Sequence, residues 1–233
     1  MDKVDNFPSA LKLPERGPVL GIVARQPLPG RVKTRLTPPL SPREACALYE
    51  AALRESVARF VAGPFQPVLC WTGRRRWFAL AFPGTALLWQ GRGDLGARLA
   101  RITAALFAAG GGPVAVAGSD SPDLPLPLME KALGALRKAD AAVVPSADGG
   151  YALLALNRPA PQLFTRIPWS TPEVLAATRR RALEHGLRLA VTDPWDDLDD
   201  RDSLARLLAR SPGCATAQHA RAYLGHLLRA GGG

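Results

Sequence analysis

Short apolar runs alternating with amphipathic stretches constrain this chain more than any other feature. Residues 18–24 (PVLGIVA), 66–71, 85–90, 114–118, 141–144 and 187–191 have the length and the β-branched content of strands. A further strand follows the turn that opens SADGGYALLAL, residues 146–156. The segments between them read as helices. Ser41, Pro42 and Glu44 form a helix start with an N-cap, a proline in the first turn and a capping box. Ala45, Leu48, Tyr49, Ala52, Leu53 and Phe60 then share one face at helical spacing. Asp94 can cap a helix that runs to about Ala109, and residues 127–139 read as another. Thr171, Pro172 and Glu173 begin a helix ending near Gly186, and two more close the chain at about 201–209 and 215–228. Strands that alternate with helices predict an α/β fold with a mostly parallel sheet and helices on both faces. The spacing predicts one domain over residues 17–229, between a polar tail at 1–16 and a Gly-rich tail at 230–233.

A chain of 233 residues is long enough to bury a proper core. No apolar run is long enough to span a membrane, and the first residues lack the apolar core of a signal peptide, so a cytoplasmic protein is expected. Three scattered cysteines, with no CxxC, suggest neither a disulfide framework nor a zinc site. The net charge of +10 comes mostly from arginine and can serve a phosphate-bearing small molecule, an anionic surface or nucleic acid. Aromatic residues are only 6 % and do not interleave with the arginines, so a nucleic-acid partner is not expected.

Open α/β sheets bind ligands outside the carboxyl ends of their strands. Four features fall there. The loop after the first strand carries Arg25, Gly30, Arg31, Lys33 and Arg35, which suits a polyphosphate. The run VAVAG delivers Ser119 and Asp120, and one carboxylate at a strand end suits a divalent cation that shares substrate phosphates. Asp123, three residues on, is expected to cap the next helix. Asp148, Gly149 and Gly150 make a turn whose glycines allow close backbone approach, to a ligand or to a neighbouring strand. Asp197 and Asp199 alternate on an extended segment, so both point one way and can share a cation, or else serve to cap the last helices. His185, His219 and His226 have no metal-ligand spacing and read as surface or packing residues.

Taken in order, PGRVKTRL, GDLGARL, GSDSPDLP, DGGYALLAL, PWST and DLDDRDSL resemble a family of bacterial GT-A-type glycosyltransferases. That family is similar to small-molecule nucleotidyltransferases such as 2-phospho-L-lactate guanylyltransferase and the molybdenum cofactor guanylyltransferase. The resemblance runs from about Val19 to Leu208. It implies a single-domain, Rossmann-like nucleotide-diphospho-sugar transferase (GT-A) fold with the nucleotide over the strand ends. It also implies that Lys33 and Arg35 hold donor phosphates, that Asp120 and one of Asp197 and Asp199 bind Mg²⁺ or Mn²⁺, and that Asp148, Gly149 and Gly150 build the acceptor side. Three positions depart from the family pattern: Pro145-Ser146-Ala147 replaces Gly-Pro-Ala, Glu55 replaces an aspartate, and the last motif reads DDRDSL.

The expectation is therefore a metal-dependent transferase using a nucleotide-linked donor, most readily a nucleoside-diphosphate sugar, and a small-molecule acceptor. Asp120 and Asp148 are the candidate catalytic residues. Arg25, Gly30, Lys33, Arg35, Gln90, Asp94, Gly149 and Gly150 are the candidate donor contacts, and Asp120, Asp197 and Asp199 the candidate metal ligands. Two rival readings remain open: a nucleotidyltransferase that takes an NTP and releases pyrophosphate, and a non-catalytic nucleotide-binding protein.

Overall fold

The computed structural model describes residues 11, 13, 17–110 and 112–229. Most of the expected tail at 1–16, and all of the one at 230–233, lie outside them. Seven strands form one sheet in the order β3-β2-β1-β4-β6-β5-β7. They are β1 Val19–Arg25, β2 Gln66–Thr72, β3 Ala86–Trp89, β4 Val114–Gly118, β5 Ala141–Pro145, β6 Tyr151–Leu156 and β7 Leu189–Val191. All neighbours pair in parallel except those of β6, which runs against both β4 and β5. The reversal follows from chain length. Only the turn at 146–150 joins β5 to β6, and so short a link can make only a hairpin, since a parallel crossover needs a dozen residues or more.

The helices are α1 Pro42–Val61, α2 Arg75–Ala81, α3 Leu95–Gly110, α4 Leu126–Ala135, α5 Val174–Glu184, α6 Arg201–Arg210 and α7 Ala215–Arg229. The capping box forms as expected. The Ser41 hydroxyl accepts from the Glu44 N–H, and the Glu44 carboxylate accepts from the Ser41 N–H at 2.8 Å. Alternate β1 residues feed opposite faces of the sheet. Leu20 and Ile22 join Tyr49, Leu53 and Phe60 of α1 and Met129 of α4 in one buried cluster. Val19 joins Leu99, Ile102 and Leu106 of α3 in the other. Both faces are therefore covered, and the near-continuous burial of β1 and β4 is that of central parallel strands. A third cluster packs α6 and α7 against α1 through Leu48, Leu204, Leu207 and Leu224. No helix among the described residues is long and apolar enough to cross a membrane.

The chain leaves β1 toward β2 and β3 on one side and returns to β4 on the other. The sheet's switch point therefore lies between β1 and β4, and the crevice opens beyond their carboxyl ends.

One capping expectation fails. α4 has Pro125 as its N-cap with no side-chain bond, and Pro127 in its first turn has no N–H to be capped. Asp123 turns inward. It accepts from Arg210 Nε at 2.7 Å and Nη2 at 3.0 Å, from the Ser211 hydroxyl at 2.7 Å and from Trp195 Nε1 at 3.2 Å. The Arg210 guanidinium lies over the Trp195 ring, 4.6 Å from its centroid. A carboxylate buried this deeply needs a cation and a full set of donors, and α6 supplies them.

Candidate active site at the strand ends

The crevice beyond β1 and β4 contains two adjoining cavities, of about 630 and 490 Å³. Asp120, Asp199, Arg35 and Ser170 line both. The smaller cavity is basic: Arg25, Arg31, Lys33 and Arg98 open into it beside Ser119 and Tyr49. The larger is acidic, with Asp120, Asp148, Asp197 and Asp199 along its rim.

Elements at the switch point build the basic half. Lys33 sits in the left-handed region, φ 49°, which turns its side chain inward beneath the loop. Its side chain is 4 % exposed, and its Nζ lies 2.6 Å from Asp120 Oδ1 and donates to the Leu198 carbonyl. The expected phosphate-holding lysine and the expected metal-binding aspartate are thus paired with each other. An ammonium so enclosed must have acceptors, and the end of β4 provides them. Arg35 reaches Asp199 at 2.5 Å and stays largely exposed. Gly30, φ +73°, makes the turn in which Arg31 N–H donates to the Leu28 carbonyl. Arg25 closes the loop through Nη1 to the Arg31 carbonyl, 3.1 Å.

Two expected donor contacts have other work. Gln90 is 2 % exposed, and its Nε2 donates to the Ala24 carbonyl at 2.9 Å and the Cys70 carbonyl at 2.8 Å. Its Oε1 accepts from Arg98 Nη1 at 3.3 Å, so Gln90 ties β1 to β2 and steadies the arginine that faces the cavity. Asp94 accepts from the Ala97 N–H at 2.8 Å, caps α3 and lines neither cavity.

The acidic half rests on the β5–β6 turn and the segment before α6. Asp148 Oδ1 accepts from Gly150 N–H at 2.9 Å and from the Ser146 hydroxyl, which fixes the carboxylate at the cavity wall. Gly149, φ +86°, lies against the chain's own backbone: a Cβ there would stand 2.1 Å from the Pro172 carbonyl oxygen. Its lack of a side chain therefore admits the 168–172 loop, and Gly149 lines neither cavity, whereas Gly150 lines the acidic one. Asp197 and Asp199 both line the acidic cavity, while Leu198 between them is buried, as alternation requires. Leu198 N–H donates to the Asp120 carbonyl at 2.7 Å and pins this segment to the end of β4. Burial, then the neighbouring charge of Asp148, push the Asp197 carboxyl up to about 6 against the relief that Lys33 gives. Asp200 caps α6 through the Ser203 N–H, 2.8 Å.

Sequence reasoning missed Tyr49, Arg98 and Ser170 as site residues, and named Ser119 only as a neighbour of Asp120. The Tyr49 hydroxyl accepts from Arg25 N–H at 3.0 Å and lies 3.1 Å from the Ser119 hydroxyl, joining the ends of β1 and β4. Burial, then the nearby Asp120 charge, push its pKa up to about 12, so it stays a neutral donor. Arg98 stands one helical turn beyond Asp94 within GDLGARL, a signal that was present in the motif. Burial and the proximity of Arg25 pull the Arg98 guanidinium below its usual range. That crowding of cations marks the smaller cavity as a place for an anion. Ser170 holds φ +66° without being glycine, a strained geometry of the kind that gathers at functional sites.

Among the described residues, no group of three or more His, Cys, Asp or Glu side chains forms a metal-holding cluster. The carboxylates present suit a cation that takes one or two protein ligands and completes its shell elsewhere.

The chain's fold is similar to that of a "putative nucleotide-diphospho-sugar transferase" from Desulfovibrio desulfuricans G20, with TM-score 0.84 and 26 % identity over 93 % of this chain and 98 % of that one. It is also similar to a CMP:2-keto-3-deoxy-manno-octonic acid synthetase complexed with CTP, with TM-score 0.52 and 16 % identity over 84 % of this chain and 98 % of that one. The 4-diphosphocytidyl-2C-methyl-D-erythritol synthase of Anaerococcus prevotii DSM 20548 matches with TM-score 0.51 and 10 % identity over 82 % and 97 % of the two chains. No curated protein matches the sequence. Residues 57–171, which carry Asp120 and Asp148, match the model of a family described as an uncharacterized protein conserved in bacteria (DUF2064).

Proposed function

We propose that the protein is a metal-dependent transferase acting on a nucleotide-linked donor, most readily a nucleoside-diphosphate sugar. One observation carries this reading: a basic cavity and an acidic cavity meet at Asp120, over the switch point of a nucleotide-diphospho-sugar transferase-like fold. In this reading the donor's diphosphate lies in the basic half. Arg25, Arg31 and Arg98 there compensate the charge that grows on the diphosphate as the glycosidic bond breaks. Asp148, fixed by Ser146 and Gly150, accepts the proton of the acceptor hydroxyl. Asp120 and Asp197 are the ligands for Mg²⁺ or Mn²⁺, which when bound supplies positive charge to the phosphate oxygens. Lys33, paired with Asp120 at 2.6 Å, would be the nearest ammonium for a phosphate oxygen of the donor. Three free cysteines and a donor of this class fit a cytoplasmic location.

The number of cations favours a second reading, nucleotidyl transfer from an NTP. Four arginines and a lysine line the basic cavity, enough for a triphosphate. The relatives that make CMP- and CDP-linked products share the fold.

Incubation with Mn²⁺ and labelled nucleoside-diphosphate sugars, and separately with NTPs, tests both. Free nucleoside diphosphate with a glycosylated product supports the first reading. Pyrophosphate release from an NTP without sugar transfer replaces it with the second. In either case Asp120→Ala lowers turnover by roughly 100-fold or more. Metal-dependent nucleotide binding that survives Asp120→Ala unchanged removes Asp120 from the mechanism.

A further inference from the structure

The larger cavity carries information about the acceptor that the donor half does not. Its floor and one wall are apolar, built by Leu95, Leu99 and Val116, and Trp169 stands over them. The indole is seated deliberately. Gly96 leaves room for it, since a Cβ at that position would lie 2.6 Å from Trp169 Nε1, and Tyr151 meets it edge-on with ring centroids 6.4 Å apart at 80°. The same cavity is lined by four carboxylates. Lys33 compensates Asp120 and Arg35 compensates Asp199, but Asp148 and Asp197 have no ion-pair partner among the described residues. Among the described residues no cation besides Arg35, already paired with Asp199, lines the cavity.

We propose that the acceptor is an uncharged, hydroxyl-bearing molecule with an apolar face, stacked on Trp169 with a hydroxyl on Asp148, and that phosphorylated and carboxylated acceptors are rejected. The proposal rests on the transferase reading, which makes this cavity the acceptor half. Rejection arises because an anion entering there meets the Asp148 carboxylate, which no ion pair among the described residues compensates. A planar ring or sugar face loses no charge hydration and gains apolar contact with the indole.

Calorimetric titration of matched probes tests it: phenyl β-glucoside against its 6-phosphate, with UDP and Mn²⁺ present. The neutral probe is expected to bind at least roughly tenfold more tightly than the phosphate. Asp148→Asn, which keeps the shape and removes one charge, is expected to shrink that gap, and Trp169→Ala to weaken the neutral probe most. Equal or tighter binding of the phosphate, or a gap that Asp148→Asn leaves unchanged, overturns the proposal. Titration of UDP and CTP with Mn²⁺ but no probe separates the two levels of inference. If no nucleotide binds, the transferase reading falls, and a preference for the neutral probe still stands as a property of the cavity.

Discussion

Asp197 is a carboxylate kept where its charge is unwelcome. It is half-buried, accepts no hydrogen bond from the described residues, and faces Asp148 and Asp120. Its carboxyl holds a proton up to about pH 6, while in the unfolded chain it releases one near pH 4. Between those values the native state binds more protons, so this group's contribution falls as pH rises and is most unfavourable above pH 6. Asp197→Asn should therefore stabilise the protein at pH 7.5 by about 1–2 kcal/mol, with no gain below about pH 4, and should sharply lower transferase turnover. Urea unfolding at the two pH values, beside an activity assay, checks all three statements. Loss of stability at pH 7.5 would show that Asp197 is not strained. The same physics predicts that Mn²⁺ added to the native protein raises its melting temperature, and that Asp197→Asn removes the rise.

Among the elements, α7 depends on a side chain from α1. Glu55 accepts from the Ala215 and Thr216 N–H groups at 3.0 and 2.8 Å and from the Thr216 hydroxyl at 2.6 Å. It thereby adds, from a distance, to the cap that Cys214 Sγ gives the same helix by accepting from the Ala217 N–H at 3.3 Å. Glu55→Ala should cost about 2 kcal/mol and speed amide exchange in the first turn of α7 more than in α1. Uniform acceleration of both helices would contradict the capping role. Elements of this kind separate what a sequence displays from what it hides. The Ser41 capping box, the Asp94 cap and the alternation at 197–199 are local, so their patterns could be read directly. Most strands and helices fell within a few residues of their observed bounds for the same reason. Asp123, Glu55 and Gln90 act across long stretches of sequence, on Arg210, on α7 and on β1. No local pattern marks such partners, and so Asp123 read as a cap, while the bonds by which Gln90, at the wall of the basic cavity, ties β1 to β2 went unread. Tyr49 read as core because it sits on the buried face of α1; only its hydroxyl reaches the site. Lys33 and Asp120 were readable as residues of the crevice, but their pairing depends on a turn of the chain that charge alone does not predict.

For the whole molecule, the Asp123–Arg210 pair fastens the carboxyl-terminal helices to the segment after β4. Burial alone would raise the Asp123 pKa, yet the donors from Arg210, Ser211 and Trp195 hold it below the usual carboxylate range. The stability it contributes is complete above the unfolded value near pH 4 and disappears as pH falls through the lower native value. Asp123→Asn should cost about 3 kcal/mol at pH 7, and the gap between variant and parent should narrow below pH 4, as chemical denaturation at both values can show. The order of strands was only partly readable: alternation indicated a covered, mostly parallel sheet, while the reversed β6 emerges once the shortness of the 146–150 link is taken literally.

That reversed strand has a consequence for how such a protein can change. The basic half of the crevice hangs on β1 and β4, whose pairing closes a loop of nearly a hundred residues, so it is fixed by the topology of the entire sheet. The Asp148 wall of the acidic half instead hangs on a hairpin whose two strands are sequence neighbours. An exchange at Asp148 alters the cavity wall without rethreading any crossover, whereas Gly149 is held against the Pro172 carbonyl oxygen. The two halves are therefore unequal in freedom: one is fixed by the pairing of the whole sheet, and the other can change its lining at a turn between sequence neighbours.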